Sequence, residues 1–225
     1  MILPKSCTNE LILVLNGVED YLQIVLGSNQ DLLWHWMGKT FQQTITFLAP
    51  HLKYLFTTLR ISPDQLKGVV VVSGPGSFTG LRLIFGHVYG LALSADLKTG
   101  SLTYHPLIAK SIPLNREIWV LTHSRHNEVY VQGFDPEKNA LGPVQNLTLD
   151  QTIEILKKRS KPVLVGSGLR KNPNLLELGF TCLPNQFDYP HPQTLLEQAW
   201  QVELKAELPH PFYLRKSHAE ENLKK

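Results

Sequence analysis

Cysteine is almost absent from this chain: Cys7 and Cys182 are the only two among 225 residues. With no secretory leader apparent, they read as free thiols in a reducing compartment, and a disulfide scaffold is excluded. Long apolar runs are missing as well. No stretch approaches the ~20 residues of a membrane helix, so a cytoplasmic protein with no membrane partner is expected. Excess charge of one sign is also lacking. Lys and Arg number 22 against 19 Asp and Glu, a net of +3, too little to argue for nucleic-acid binding. The one basic cluster, Lys157, Lys158, Arg159 and Lys161, reads as a solvated helix end complementing the dipole.

Several chemical constellations are missing too. There is no His-Glu-x-x-His helix for zinc. His123 and His126 lack the further ligands a tetrahedral site needs. Gly166-Ser167-Gly168 has the wrong spacing for a nucleophile elbow. No metal, no cofactor and no complete catalytic set are expected.

Residues 68–90 carry most of the positive information. Val69 to Val72 form an unbroken β-branched run, the mark of a strand covered on both faces. Gly74, Pro75 and Gly76 then force a tight turn, because proline fixes φ and glycine tolerates positive φ. Ser77 or Thr79 can cap the helix that follows. Strand, glycine-rich turn and helix N-terminus together can cradle an anion. The P-loop lysine and the dinucleotide spacing are both missing. A turn serving packing alone therefore stays open beside an anion site.

Around this segment the chain reads as mixed α/β. Leu11–Leu15, Tyr21–Leu26 and Asp31–Met37 read as antiparallel strands, and about Thr40–Arg60 as a long helix. Ser62-Pro63-Asp64-Gln65 supplies a cap, a first-turn proline and a capping-box glutamine. A helix over Thr79–Asp96 follows the Val69 strand. Ile118–Leu121, Glu128–Phe134 and Val163–Val165 read as later strands. Asp150–Arg159 and about Gln193–Leu208 read as helices. Two lobes are expected, 1–108 and 109–208, with a boundary near Tyr104–Pro113. A tail, 209–225, is expected to pack back on the first lobe.

The two long helices offer a docking face. Phe41, Ile45, Leu48, Leu52, Leu55 and Leu59 form an a/d seam. Phe47 and Tyr54 make a second row, wider than one sheet contact requires. Deeper burial in the home core is the competing explanation. Arg82, Gly86, Gly90 and Ser94 fall on one ridge at i, i+4, i+8 and i+12. Two glycines inside a helix cost about 1 kcal/mol each relative to alanine. Close approach by a partner helix would compensate.

Gly74-Pro75-Gly76-Ser77-Phe78-Thr79-Gly80-Leu81-Arg82 resembles the signature of the TsaB (YeaZ) family. Asn127-Glu128-Val129-Tyr130, the Val163–Gly168 turn and Pro211-Phe212-Tyr213-Leu214-Arg215 match further family motifs in order. The resemblance implies a two-lobed actin-like, sugar-kinase-like fold with mixed sheets flanked by helices. It also implies a role in installing threonylcarbamoyl on an adenosine beside the tRNA anticodon. The family acts as a non-catalytic partner subunit, so tRNA is met only indirectly. The partner is a TsaD-type catalytic subunit, bound through the two N-terminal-lobe helices. Homodimers in isolation, and a TsaE-type ATPase as a third component, are further implied. Family members typically carry Asp-Thr-Ser after the first strand, where this chain has Asn16-Gly17-Val18. They often carry Asp-Ala-Arg-Arg where this chain has His123-Ser124-Arg125-His126. An actin-like phosphotransferase with its own nucleotide, or a stand-alone homodimeric scaffold, are the alternatives.

Overall fold

The computed structural model describes residues 10–40 and 43–215. Cys7 and Phe41 lie outside the described residues. The chain divides into two compact units. One takes the residues up to Thr103 together with Pro192–Phe212, and the other Tyr104–His191 with the residues from Tyr213 on.

The first unit is built on a five-stranded sheet in the order β3-β2-β1-β4-β5. Its strands are β1 (Ile12–Asn16), β2 (Tyr21–Gly27), β3 (Leu32–Lys39), β4 (Gly68–Val72) and β5 (Lys98–Leu102). β1, β2 and β3 run antiparallel as a meander, while β4 and β5 join β1 in parallel. β1 and β4 are buried at every position, so both faces of the sheet are covered. The helices α1 (Thr44–Leu59) and α2 (Phe78–Ala95) pack on β2, β4 and β5. Helix α6 (Pro192–Trp200) packs on β1, β2, β3 and β5. The sequence pattern assigned α6 to a second lobe and ran it to Leu208. Instead, the helix ends at Trp200 and the chain continues through turns and bends. Lys205 bridges Thr99 in antiparallel fashion, and the Thr99 hydroxyl donates to the Glu207 carbonyl (2.9 Å).

The second unit repeats the same strand pattern. Its sheet is ordered β10-β9-β6-β7-β8, from β6 (Ile118–Arg125), β7 (Glu128–Phe134), β8 (Gln145–Thr148), β9 (Val163–Val165) and β10 (Thr181–Cys182). Again the first three strands are antiparallel and the last two parallel. The expected α/β class, with mixed sheets flanked by helices, is present in both units. Helix α3 (Tyr104–Lys110) packs on β6, α4 (Leu149–Lys157) on β7 and β8, and α5 (Ser167–Lys171) follows β9. Thr148 caps α4, and Gln151 closes the box from its side chain to the Thr148 N–H (3.0 Å). Trp119, Leu121, Val129, Val131, Leu156 and Leu164 centre its core.

Candidate functional site

The glycine-rich loop after β4 is held from two sides by the protein's own backbone. On one side is the β1–β2 turn. The Ser77 N–H donates to the Val18 carbonyl (3.1 Å). A Cβ on Gly76 would overlap the Val18 carbonyl oxygen and stand 2.5 Å from Val18 Cγ1. A Cβ on Gly80 would stand 2.8 Å from the Gly17 carbonyl. On the other side is the C-terminal strap, where the Phe212 N–H donates to the Ser73 carbonyl (2.8 Å). Gly74 has φ +115, and a Cβ there would meet the Phe212 carbonyl at 2.9 Å. Protein backbone thus packs closely against all three glycines of the loop. Of the two readings of this loop, packing is the one the geometry supports.

Asn16 closes the same argument. It is 2 % exposed. Its amide donates to Gln23 Oε1 (2.7 Å), and its Oδ1 accepts from the Val18 N–H (3.2 Å). The side chain that would need to be a metal-binding carboxylate is instead used to shape the β1–β2 turn. That turn in turn buttresses the loop. Among the described residues no three His, Cys, Asp or Glu side chains converge as a metal site requires.

The loop fixes the start of α2. Ser77 Oγ accepts from the Gly80 N–H (3.3 Å), which makes Ser77 the cap rather than Thr79. Leu81, Ile84, Phe85 and Val88 face inward and are buried. Arg82, Gly86, Gly90 and Ser94 form the opposite, exposed ridge. A Cβ on Gly86 or Gly90 would meet nothing within 4 Å. Arg82 leans over the Phe78 ring, its guanidinium 6.0 Å from the ring centre. Leu93, 76 % exposed, extends the ridge. It was missed in the sequence, although 93 lies seven residues beyond Gly86.

Helix α1 corrects part of the expected face. Leu48, Leu52 and Leu55, predicted to meet a partner, are buried in the home core, as is Leu59. Ile45 is 54 % exposed. The second apolar row also has a home contact. Tyr54 meets Trp34 of β3 edge-on at 5.6 Å, and Phe47 stacks on Trp36 at 6.3 Å. The row therefore borders the sheet edge beside α1, and Tyr54 keeps 60 % of its surface exposed. Pro50 sits inside α1 and escaped the sequence reading.

The second unit carries a parallel device after β9. Gly166 has φ +116, and a Cβ there would run into the Leu121 backbone. The Gly166 N–H donates to Asp188 (2.9 Å), and Arg170 Nε donates to the other carboxylate oxygen (2.9 Å). Burial pushes the Asp188 carboxyl up despite Arg170. Cys182, half-buried beside this pair, has its thiol pushed up by burial, which makes it a poor nucleophile. Glu128 bonds Arg125 at 2.7 Å and accepts from Asn146 at 2.6 Å. The Arg125 hydrogen bond holds its carboxyl below the usual range. These groups stabilise turns and strand ends.

Comparison with known proteins matches this geometry. The family model described as TsaD, tRNA N6-adenosine threonylcarbamoyltransferase, covers residues 41–180. The tRNA threonylcarbamoyladenosine biosynthesis protein TsaB of Bacillus subtilis (strain 168) is 31 % identical over 120 residues, 51 % of this chain and 52 % of that protein. The protein of the same name from Escherichia coli (strain K12) is 27 % identical over 186 residues, 76 % of this chain and 80 % of its own length. The chain belongs to the TsaB/YeaZ family. The match to the Bacillus subtilis member spans about half of that member's length. The solved structure of YeaZ from Pseudomonas aeruginosa superposes with a TM-score of 0.72 at 18 % identity, covering 91 % of this chain and 100 % of that one. It shares the fold. The residues at Asn16 and His123–His126 fall on turns and strand ends.

Proposed function

We propose that the chain is a non-catalytic partner subunit in tRNA threonylcarbamoyladenosine biosynthesis. It docks on a TsaD-type transferase through the Arg82–Gly86–Gly90 ridge, with Ile45 of α1 as the adjoining apolar contact. The observation that carries this reading is the pair of bare glycines on an exposed helix face. Each costs about 1 kcal/mol relative to alanine, and among the described residues nothing lies within 4 Å of a Cβ added at either one. A second helix lying across the ridge would use the missing side chains for close backbone packing. The names of the curated relatives place them in the same biosynthesis.

Docking would act by mass action on the transferase, favouring whichever of its conformations binds the ridge better. A homodimer in isolation would use the same surface, and a TsaE-type ATPase would join as a third component in the cytoplasm. A nucleotide-using phosphotransferase is disfavoured by the amide at Asn16 and by the Val18 backbone packed on Gly76. The test is reconstitution with purified components and a tRNA transcript. Threonylcarbamoyl incorporation is expected only when both the transferase and this chain are present. Transfer by this chain alone, or full activity of the transferase without it, would overturn the reading.

A further inference from the structure

The net charge of +3 conceals a concentration of cations at one edge of the second unit. Lys157 and Lys158 end α4, and Arg159, Ser160 and Lys161 form the turn into β9. All five are exposed. The fold brings a further cation to them from 45 residues away, because Arg116 Nη2 donates to the Lys161 carbonyl (2.8 Å). Arg159 lies over the Trp119 ring at 5.2 Å. The nearest carboxylate is Glu117, 4.0 Å from Arg159 Nε. It already accepts the Trp119 indole N–H at 2.7 Å. Glu154 sits one turn earlier on α4. Five cations against Glu117 and Glu154 leave this one edge as positive as the whole chain is in net.

We propose that this edge binds the phosphate backbone of the RNA on which the complex acts, a proposal that rests on the function inferred above. Lys157, Lys158, Lys161, Arg116 and Arg159 would each displace a condensed counterion, contributing affinity without base readout. An anionic membrane is the other surface such a cluster can meet, but that mode needs an apolar helix face beside the cations. Here Thr152 and Leu156, the inward face of α4, are fully buried, and Ile153 and Ile155 pack against the unit's own core.

The test is fluorescence anisotropy of a labelled tRNA transcript with the full chain, titrated in KCl, against the variant Lys157→Gln/Lys158→Gln/Lys161→Gln. Those side chains are exposed, so an unchanged melting curve is expected and checks the fold. Wild type should show a log–log salt slope of about −4, and the variant should lose about three units of it. Affinity at 100 mM KCl should fall by about tenfold or more. An unchanged slope and affinity would overturn the proposal. So would wild-type binding to phosphatidylserine vesicles in preference to tRNA. Sizing the variant with the transferase separates the two readings. Retained docking with lost tRNA binding supports both, and tRNA binding through this edge without any docking leaves only this one standing.

Discussion

Gly76 packs against Val18 so tightly that a single added methyl would overlap the Val18 carbonyl, while Gly86, ten residues on, faces open space. The two glycines of one strand–loop–helix segment therefore exist for different reasons.

Alanine distinguishes them. Gly76→Ala should destabilise the protein by about 2 kcal/mol or more, because backbone on both sides must shift. Gly86→Ala should stabilise it by about 1 kcal/mol, the ordinary gain at an exposed helix interior. Urea denaturation of both variants checks the opposite signs. Destabilisation by Gly86→Ala would mean that the ridge already has a partner within this chain.

Restoring the family's acid should not restore a phosphate site. In Asn16→Asp the carboxylate is buried and can no longer donate to Gln23 Oε1. A loss of about 2 kcal/mol or more is expected, because a carboxylate is buried without a counter-ion even when the Gln23 amide turns to donate to it. Isothermal titration with Mg²⁺ and ATP should show no binding. Nucleotide binding by this variant would reopen the phosphotransferase reading.

Stability should fall in mild acid through His105. Its ring is fully buried, its Nε2 lies 3.3 Å from the Tyr130 carbonyl and 3.2 Å from Thr122 Oγ1, and its Nδ1 has no hydrogen-bond partner. Burial lowers its pKa from 6.5 to about 4. The unfolded chain then takes up the proton first as pH falls. Stability is complete above pH 6.5 and drains away between 6.5 and 4, by roughly 3 kcal/mol in all. His105→Gln should flatten this part of the curve of unfolding free energy against pH. An unaltered slope in that variant would assign the acid sensitivity to other groups.

Much of the first sheet was legible because its signals are local. The Val69–Val72 run and the Gly74-Pro75-Gly76 turn act within a few residues and are found where the pattern placed them, and of the two caps it allowed, Ser77 is the one used. The end of α6 was misread for a reason visible in retrospect. Val202 and Leu204 alternate with polar residues, and they pack on Gly100 and Gly68 of the neighbouring strands, a period of two rather than 3.6. Periodicity also announced the α1 stripe without saying what it meets. Leu48, Leu52 and Leu55 turned out to serve the home core, so Leu48→Asp would unfold the protein rather than undock it. Four cations of the basic edge were legible as a run, Lys157 to Lys161, but the sequence did not reveal that Arg116 joins them in space.

The most direct test of the docking surface is size-exclusion chromatography with light scattering, on wild type and Gly90→Leu, each mixed with the TsaD-type transferase of the same organism. Wild type should elute with the mass of a one-to-one complex. Gly90→Leu should elute apart from the transferase while melting at or above the wild-type temperature, because a Cβ at this exposed position meets nothing within 4 Å among the described residues. A complex that survives Gly90→Leu, or a wild type that never binds the transferase, would contradict the assignment of the α2 ridge as the docking face.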